Sequence, residues 1–210
     1  DVAAVLGLVP GVGQKYVGQL IAGVLERQRT ANQPIRVILL KARQLGGSTV
    51  VQAYMAWLQL LHRDNWHSLI CAHVKDAAQT IRGMMSKLLA SYPEEYLPTG
   101  EKSLRLTSFE GSRTTMRLGH RNNTVTITSA ETPEAARGKD IAMAHLSEVA
   151  FWRTSACHDP NDIIRSIAGS VALASHTLLV IESTANGVGN YFHTEWLRAE
   201  AGVSDKTAIF

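Results

Sequence analysis

The sequence predicts an α/β fold, a mostly parallel central sheet flanked by helices. Three observations predict it. Short β-branched and leucine-rich runs recur at residues 35–40, 67–72, 124–128, 141–146 and 177–181. Several of these are almost continuously apolar, as strands covered on both faces must be. Longer stretches of helical spacing alternate with them, and strand–helix–strand alternation is the pattern of a parallel sheet.

Taken in order, Tyr16, Val17, Leu20, Ile21, Val24 and Leu25 give residues 15–29 the spacing of an amphipathic helix. Gly11-Val12-Gly13-Gln14-Lys15 has no strand before it and is not read as a phosphate loop. Asn32-Gln33-Pro34 turns the chain into the first strand, residues 35–40. A glycine turn follows, then residues 50–61, apolar nearly all round as in a helix packed beneath a sheet. Asp64-Asn65 ends that helix. Residues 67–72 form the next strand and 74–89 the next helix, closed by Ser91-Tyr92-Pro93.

Residues 99–121 change character. Leu104, Leu106, Met116 and Leu118 sit in alternating runs around Glu110-Gly111-Ser112, which predicts a β-hairpin. Lys102, Arg105, Arg113, Arg117 and Arg121 face only Glu101 and Glu110 there, so the hairpin is either a solvated face or a nucleic-acid contact. Residues 124–128 are strand-like. Residues 129–140, with Pro133, Arg137 and Gly138, are a loop or short helix. The strand 141–146 runs into Ser147-Glu148. Residues 161–172 and 191–200 are helical, and 207–210 opens a further apolar run. No repeat, linker or low-complexity tract divides the chain, so residues 1–210 are read as one domain with a helical lead-in (1–34) and a hairpin insertion (99–123).

Composition narrows the class. Of 210 residues 45% are hydrophobic and 19% charged, as in a globular domain with a real core. A net charge of +3 and a pI near 9.0 are compatible with nucleic acid without requiring it. No apolar run is long enough to span a bilayer, and the N-terminus lacks a signal peptide's charged region. Cys71 lies in an apolar run far from Cys157, which suggests a reduced core thiol and no cysteine-based zinc site.

The chemistry gathers at strand ends. Lys41-Ala42-Arg43-Gln44-Leu45-Gly46-Gly47-Ser48-Thr49 follows a buried strand and opens a helix. A helix N-terminus offers free N–H groups and positive partial charge, and glycine lets the backbone come close, which makes a phosphate cradle. Against G-x-x-x-x-G-K-[ST], Gly46 and Ser48 fall in register, Gly47 stands in the lysine slot, and Lys41 stands in that of the first glycine. The helix end of the cradle is intact and its cation has moved: Lys41 or Arg43 would reach a phosphate, and Ser48 would hold Mg²⁺. Two more strands end in polar groups, Ser147-Glu148 and Glu182-Ser183-Thr184-Ala185-Asn186-Gly187. Ligands of open parallel sheets bind at the carboxyl ends of the strands, so these clusters converge. Nucleotide hydrolysis needs a held metal, a group that orients water and positive charge on the phosphoryl. Ser48 and Ser147, Glu148, and Lys41, Arg43 or Arg137 are the candidates in that order. His193 with Glu195 and His145 with Glu148 are poor metal candidates.

Lys41-Ala-Arg-Gln-Leu-Gly-Gly-Ser-Thr49, Ala144-His-Leu-Ser-Glu-Val-Ala-Phe-Trp152 and Glu182-Ser-Thr-Ala-Asn-Gly-Val-Gly-Asn190 resemble, in order and spacing, the ATPase domain of tailed-phage terminase large subunits, the motors that pump viral DNA into the procapsid. The resemblance covers residues 14–210. It implies a P-loop NTPase of the additional-strand, catalytic-glutamate type, acting on ATP with Mg²⁺. Residues 41–49 would be a deviant Walker A loop binding ATP, with Lys41 at an early lysine position and Arg43 as the loop arginine. Glu148 would be the Walker B glutamate. Ser147 stands where the family has aspartate, which leaves direct carboxylate support of Mg²⁺ open; Ser48, Ser147 (through water) and Glu148 are its candidate holders. Ser183, Thr184 and Asn186 would belong to the coupling motif, Arg137 would reach a neighbouring subunit's site, and Gln14 would read adenine.

The resemblance further implies double-stranded DNA, a portal protein and a small terminase subunit as partners, a ring of copies on the portal with a monomer in isolation, no membrane, and the host cytoplasm as the place of action. The family's C-terminal nuclease, with its acidic metal cluster, is not visible, so the chain is expected to be the motor alone, without nuclease activity. A helicase-like DNA-dependent ATPase is one alternative. A non-hydrolysing nucleotide-binding module, suggested by Gly47 and Ser147, is the other.

Overall fold

A computed structural model describes residues 12–97, 104–119, 121–132, 140–154 and 159–210, with side chains from Tyr16 onward. Helix α1 (Val12–Thr30) leads into strand β1 (Ile35–Leu40). Then come α2 (Gly47–Trp57), continued by a π-helical turn over Leu58–His62, β2 (Ser68–Ala72) and α3 (Lys75–Ala90). Three strands follow, β3 (Thr107–Ser108), β4 (Thr115–Leu118) and β5 (Asn123–Ser129). The remainder is β6 (Met143–Leu146), α4 (Pro160–Ser170), β7 (Leu178–Ser183), α5 (Tyr191–Glu200) and β8 (Thr207–Ile209).

These strands form one sheet in the order β3-β4-β5-β2-β6-β7-β1-β8. From β5 to β8 every pairing is parallel. β1 is hydrogen-bonded on both edges and covered on both faces, which accounts for its continuous apolar run. Side chains alternate between the two faces, and the core divides accordingly. Val37, Leu39, Ile70, Val125, Leu178 and Val180 pack with α1, α2 and α3. Ile38, Leu69, Cys71, Leu146, Leu179 and Ile181 pack on the other face with Ile163, Ile164 and Ile167 of α4 and Phe192 and Trp196 of α5. α2 is sandwiched between the sheet and α1, so it is apolar nearly all round. Local signals fix the later helices. The Asp159 side chain accepts from Asn161 N at 2.8 Å with Pro160 behind it, and Asn190 Oδ1 accepts from His193 N at 2.9 Å.

Three differences from the sequence expectation bear on the site, beyond shifts of a residue or a few at other element ends. α2 starts at Gly47, earlier than 50, because Gly46 takes a left-handed conformation (φ 77°) that lets the helix begin at once. β7 runs on through Glu182 and Ser183, which the sequence alone places beyond the strand; pairing with Leu39 and Leu40 of β1 holds them in register. The hairpin strands β3 and β4 pair antiparallel, and β4 also pairs antiparallel with β5, so they form the edge of the main sheet. Arg117 lies over the Phe109 ring, and Arg121 pairs with Asp64 at 3.2 Å. Lys102, Arg137, Cys157 and the Gln14 side chain lie outside the described residues. Cys71 is a free, fully buried thiol.

Candidate functional site

The sheet puts β7 between β1 and β6. The loop after β1, the turn after β6 and the end of β7 therefore meet at one carboxyl edge. Alternation then selects the face. Leu39 and Lys41, His145 and Ser147, and Val180 and Glu182 share the parity that points toward α2. α2 begins at that edge and supplies Ser48 from its first turn.

Glu182 is the centre of the cluster and is fully buried. Its Oε1 accepts from Ser48 Oγ at 2.7 Å and Ser147 Oγ at 2.8 Å. His145 Nε2 lies 3.3 Å from the same oxygen, and neither ring nitrogen of His145 makes a hydrogen bond among the described residues. Oε2 faces Lys41 Nζ at 3.6 Å and has no hydrogen-bond partner among the described residues. Burial opposes a charge on Glu182, but His145, Lys41 and Ser48 outweigh it and hold its pKa at about 2.

Glu148 forms the second layer. It sits at the turn after β6 in the left-handed region (φ 55°), rare for a residue with a side chain. Its Oε1 accepts from Lys41 Nζ at 2.7 Å. Its Oε2 accepts from both the backbone N and Oγ1 of Thr184, each at 3.1 Å, with Ser183 Oγ at 3.4 Å. Burial opposes its ionisation, yet these bonds and the Lys41 charge keep its pKa below the ordinary carboxylate value. Burial likewise disfavours the Lys41 charge, and the two carboxylates more than restore it, raising its pKa. Ser183 Oγ accepts from Ala150 N at 3.1 Å, and Asn186 Nδ2 donates to Ala150 O at 2.9 Å, so the segment after β7 is tied to the turn that carries Glu148.

A cleft of about 720 Å³ opens over this cluster, bounded by Lys41, Ala42, the loop from Gln44 to Thr49, Ser147 and Glu148. Its far wall is α3, through Ala77, Thr80, Ile81 and Met84. Nothing in that i, i+3, i+4, i+7 spacing distinguishes a cleft wall from core packing. Arg43 is exposed and outside the cleft lining. Among the described residues no group of three or more His, Cys, Asp or Glu is arranged to hold a metal ion. The oxygens of Ser48, Ser147, Glu148 and Glu182 are hard donors, and Mg²⁺ takes one or two carboxylates plus substrate phosphates, so the donor set fits that ion. Of the expected site residues, Lys41, Ser48, Ser147, Glu148, Ser183 and Thr184 are brought together. Glu182 reads in the sequence only as a polar strand end, although counting by two from Val180 places it on the α2 face.

No protein-family model matches the sequence, and no curated protein matches it. Solved structures share its fold. The Thermus phage P74-26 large terminase ATPase domain matches with a TM-score of 0.61 at 19% identity, over 93% of this chain and 72% of that one. The HK97 bacteriophage large terminase matches with a TM-score of 0.66 at 16% identity, over 96% of this chain and 39% of that one. The large terminase of a thermophilic bacteriophage, in complex with ADP, matches with a TM-score of 0.60 at 13% identity, over 90% of this chain and 44% of that one. At such identities the likeness is one of fold: a P-loop NTPase fold whose additional strand, β7, lies between the loop-bearing β1 and the glutamate-bearing β6. Among the described residues no helix is long and apolar enough to cross a membrane.

Proposed function

We propose that the chain is an ATPase motor domain, hydrolysing ATP to drive double-stranded viral DNA into a procapsid. The observation that carries the reading is the meeting of Lys41, Ser48 and Glu148 in one cleft beneath a glycine-led helix N-terminus, with Thr184, just past β7, donating twice to Glu148. The fold shared with large terminases, one of them in complex with ADP, supports it.

The chemistry follows from the contacts. ATP phosphates enter over the N–H groups of Gly47, Ser48 and Thr49, where the helix end attracts anions. Lys41, now paired with Glu148, turns to the phosphates; Arg43 is its alternative as phosphate cation. Glu148 is then left with the two Thr184 donors on Oε2 and a free Oε1. Ionised at neutral pH, it accepts a hydrogen bond from water and aims it at the γ-phosphorus. The P–O bond to the β-phosphate breaks, giving ADP and phosphate, and Glu148 takes the water's proton. Ser48, with Ser147 and Glu148 nearby, would hold Mg²⁺, which would neutralise charge on the phosphates. Loss of the γ-phosphate resets the Lys41–Glu148 pair, and Thr184, Ser183 and Asn186 carry that change into the turn around Ala150. Gln14 reads adenine, Arg137 completes a neighbour's site in a ring on the portal, and the small terminase subunit and DNA are the remaining partners, in the host cytoplasm.

Glu148→Gln tests the reading. DNA-stimulated phosphate release, followed across protein concentration, is expected to disappear while ATP binding persists. Unchanged turnover removes Glu148 from the chemistry. ATP binding without phosphate release in the unsubstituted chain, with DNA present at high concentration, replaces the motor by a binding module.

A further inference from the structure

We propose that Glu182 is the carboxylate that supports the bound Mg²⁺, standing in from β7 for the acid that position 147 lacks. The inference rests on the ATPase reading and deepens it at the same site. In P-loop enzymes the metal is held by the loop hydroxyl and by an aspartate at the end of the strand that carries the water-orienting acid. Here that strand end is Ser147. The missing charge is close by. β7 lies between β1 and β6, so a carboxylate at its end reaches both the loop hydroxyl and Ser147. Glu182 Oε1 takes hydrogen bonds from both, at 2.7 and 2.8 Å.

The direction of those bonds matters. A serine that donates its only proton to a carboxylate presents its lone pairs elsewhere, which is the orientation a cation requires. Ser48 and Ser147 are both held this way by one oxygen. Fully buried, Glu182 has its other oxygen without a hydrogen-bond partner among the described residues, and Lys41 Nζ lies 3.6 Å from it. A buried carboxylate with spare acceptor capacity beside two oriented hydroxyls is an outer-shell metal support. The rival role is structural, a counter-ion for Lys41.

Calorimetric titration with ADP separates the two roles, run once with Mg²⁺ and once with EDTA. The unsubstituted chain is expected to bind ADP more tightly with Mg²⁺. Glu182→Gln is expected to remove about 10–100-fold of metal affinity, and with it the Mg²⁺ increment, while the EDTA affinity stays. Adding Ser147→Asp to Glu182→Gln is expected to restore the increment. Equal losses with Mg²⁺ and with EDTA mark a structural acid and overturn the inference, as does an increment that survives Glu182→Gln. Should Glu182→Gln not fold, Glu182→Asp keeps the charge beside Lys41 and His145 and withdraws it by one methylene; an unchanged increment there also overturns the inference. If the unsubstituted chain shows no Mg²⁺ increment at all, the ATPase reading fails and takes this inference with it. If that increment is present and only Glu182 proves indifferent, the ATPase reading stands.

Discussion

A β-carbon at position 47 would lie 3.1 Å from Lys41 Cδ and 3.3 Å from Leu39 Cδ2. Glycine in the slot where a phosphate loop carries its lysine is thus tied to the early lysine: the Lys41 stem crosses the helix start over the one residue without a side chain. The same stem brings Nζ to 2.7 Å from Glu148 and 3.6 Å from Glu182. Lys41→Ala therefore has two expected effects. ADP affinity falls by about tenfold to a hundredfold, the worth of a charged hydrogen bond of about 1.5–3 kcal/mol. The urea midpoint also falls, because Glu182 keeps its burial and loses its cationic neighbour. Calorimetry and a urea titration check the pair. If affinity and turnover both survive, the exposed Arg43 must swing in to serve as the phosphate cation.

At the scale of elements, the floor of the cleft depends on how α2 is seated, and α1 holds it from behind. Tyr54 of α2, fully buried, donates to Glu26 Oε1 of α1 at 2.6 Å, and Arg29 brackets the same carboxylate at 2.8 Å. The Arg29 hydrogen bond, together with Tyr54 and against the cost of burial, lowers the Glu26 pKa from its usual 4.5. A lowered carboxylate pKa contributes stability above the unfolded value, and that contribution is lost as pH falls through the folded one. Tyr54→Phe is expected to cost about 1.5–3 kcal/mol at about pH 7. The deficit should shrink at about pH 3, where Glu26 is protonated in the unfolded chain and the charged acceptor no longer favours folding. Urea unfolding at the two pH values measures it; a deficit independent of pH would mean that only packing was lost. The strands that carry the cleft are readable because each is buried on both faces, and β1 and α5 match their expected bounds. The fate of Glu182 is harder to read. A run of apolar residues shows where a strand lies, but its last register positions depend on how long its neighbour is. β1 is long enough to draw two polar residues into pairing. The α3 wall escapes sequence reasoning for a related reason, since a stripe at helical spacing looks the same whether it meets a core or a cleft.

At the scale of the whole molecule, the proposed ring makes a prediction about Arg137, which would complete a neighbouring copy's site. In the sequence Arg137 falls in the connection from β5 to β6. Glu131 marks its start by accepting from Lys75 N at 3.0 Å, at the head of α3. In the proposed ring a head-to-tail contact would set one subunit's edge against its neighbour's cleft. Arg137→Ala alone is then expected to be inactive, and so is Glu148→Gln alone. In an equal mixture, about a quarter of the interfaces join an Arg137→Ala subunit, with its glutamate intact, to a Glu148→Gln neighbour that still has its arginine. Those interfaces are complete, so ATPase activity should return on mixing and rise with protein concentration. An arginine acting within its own chain gives no such recovery, because every subunit in the mixture lacks one of the two groups. Phosphate release from the two variants, apart and together, distinguishes the arrangements, and silence in the mixture under conditions where the unsubstituted chain turns over would place Arg137 outside any shared site.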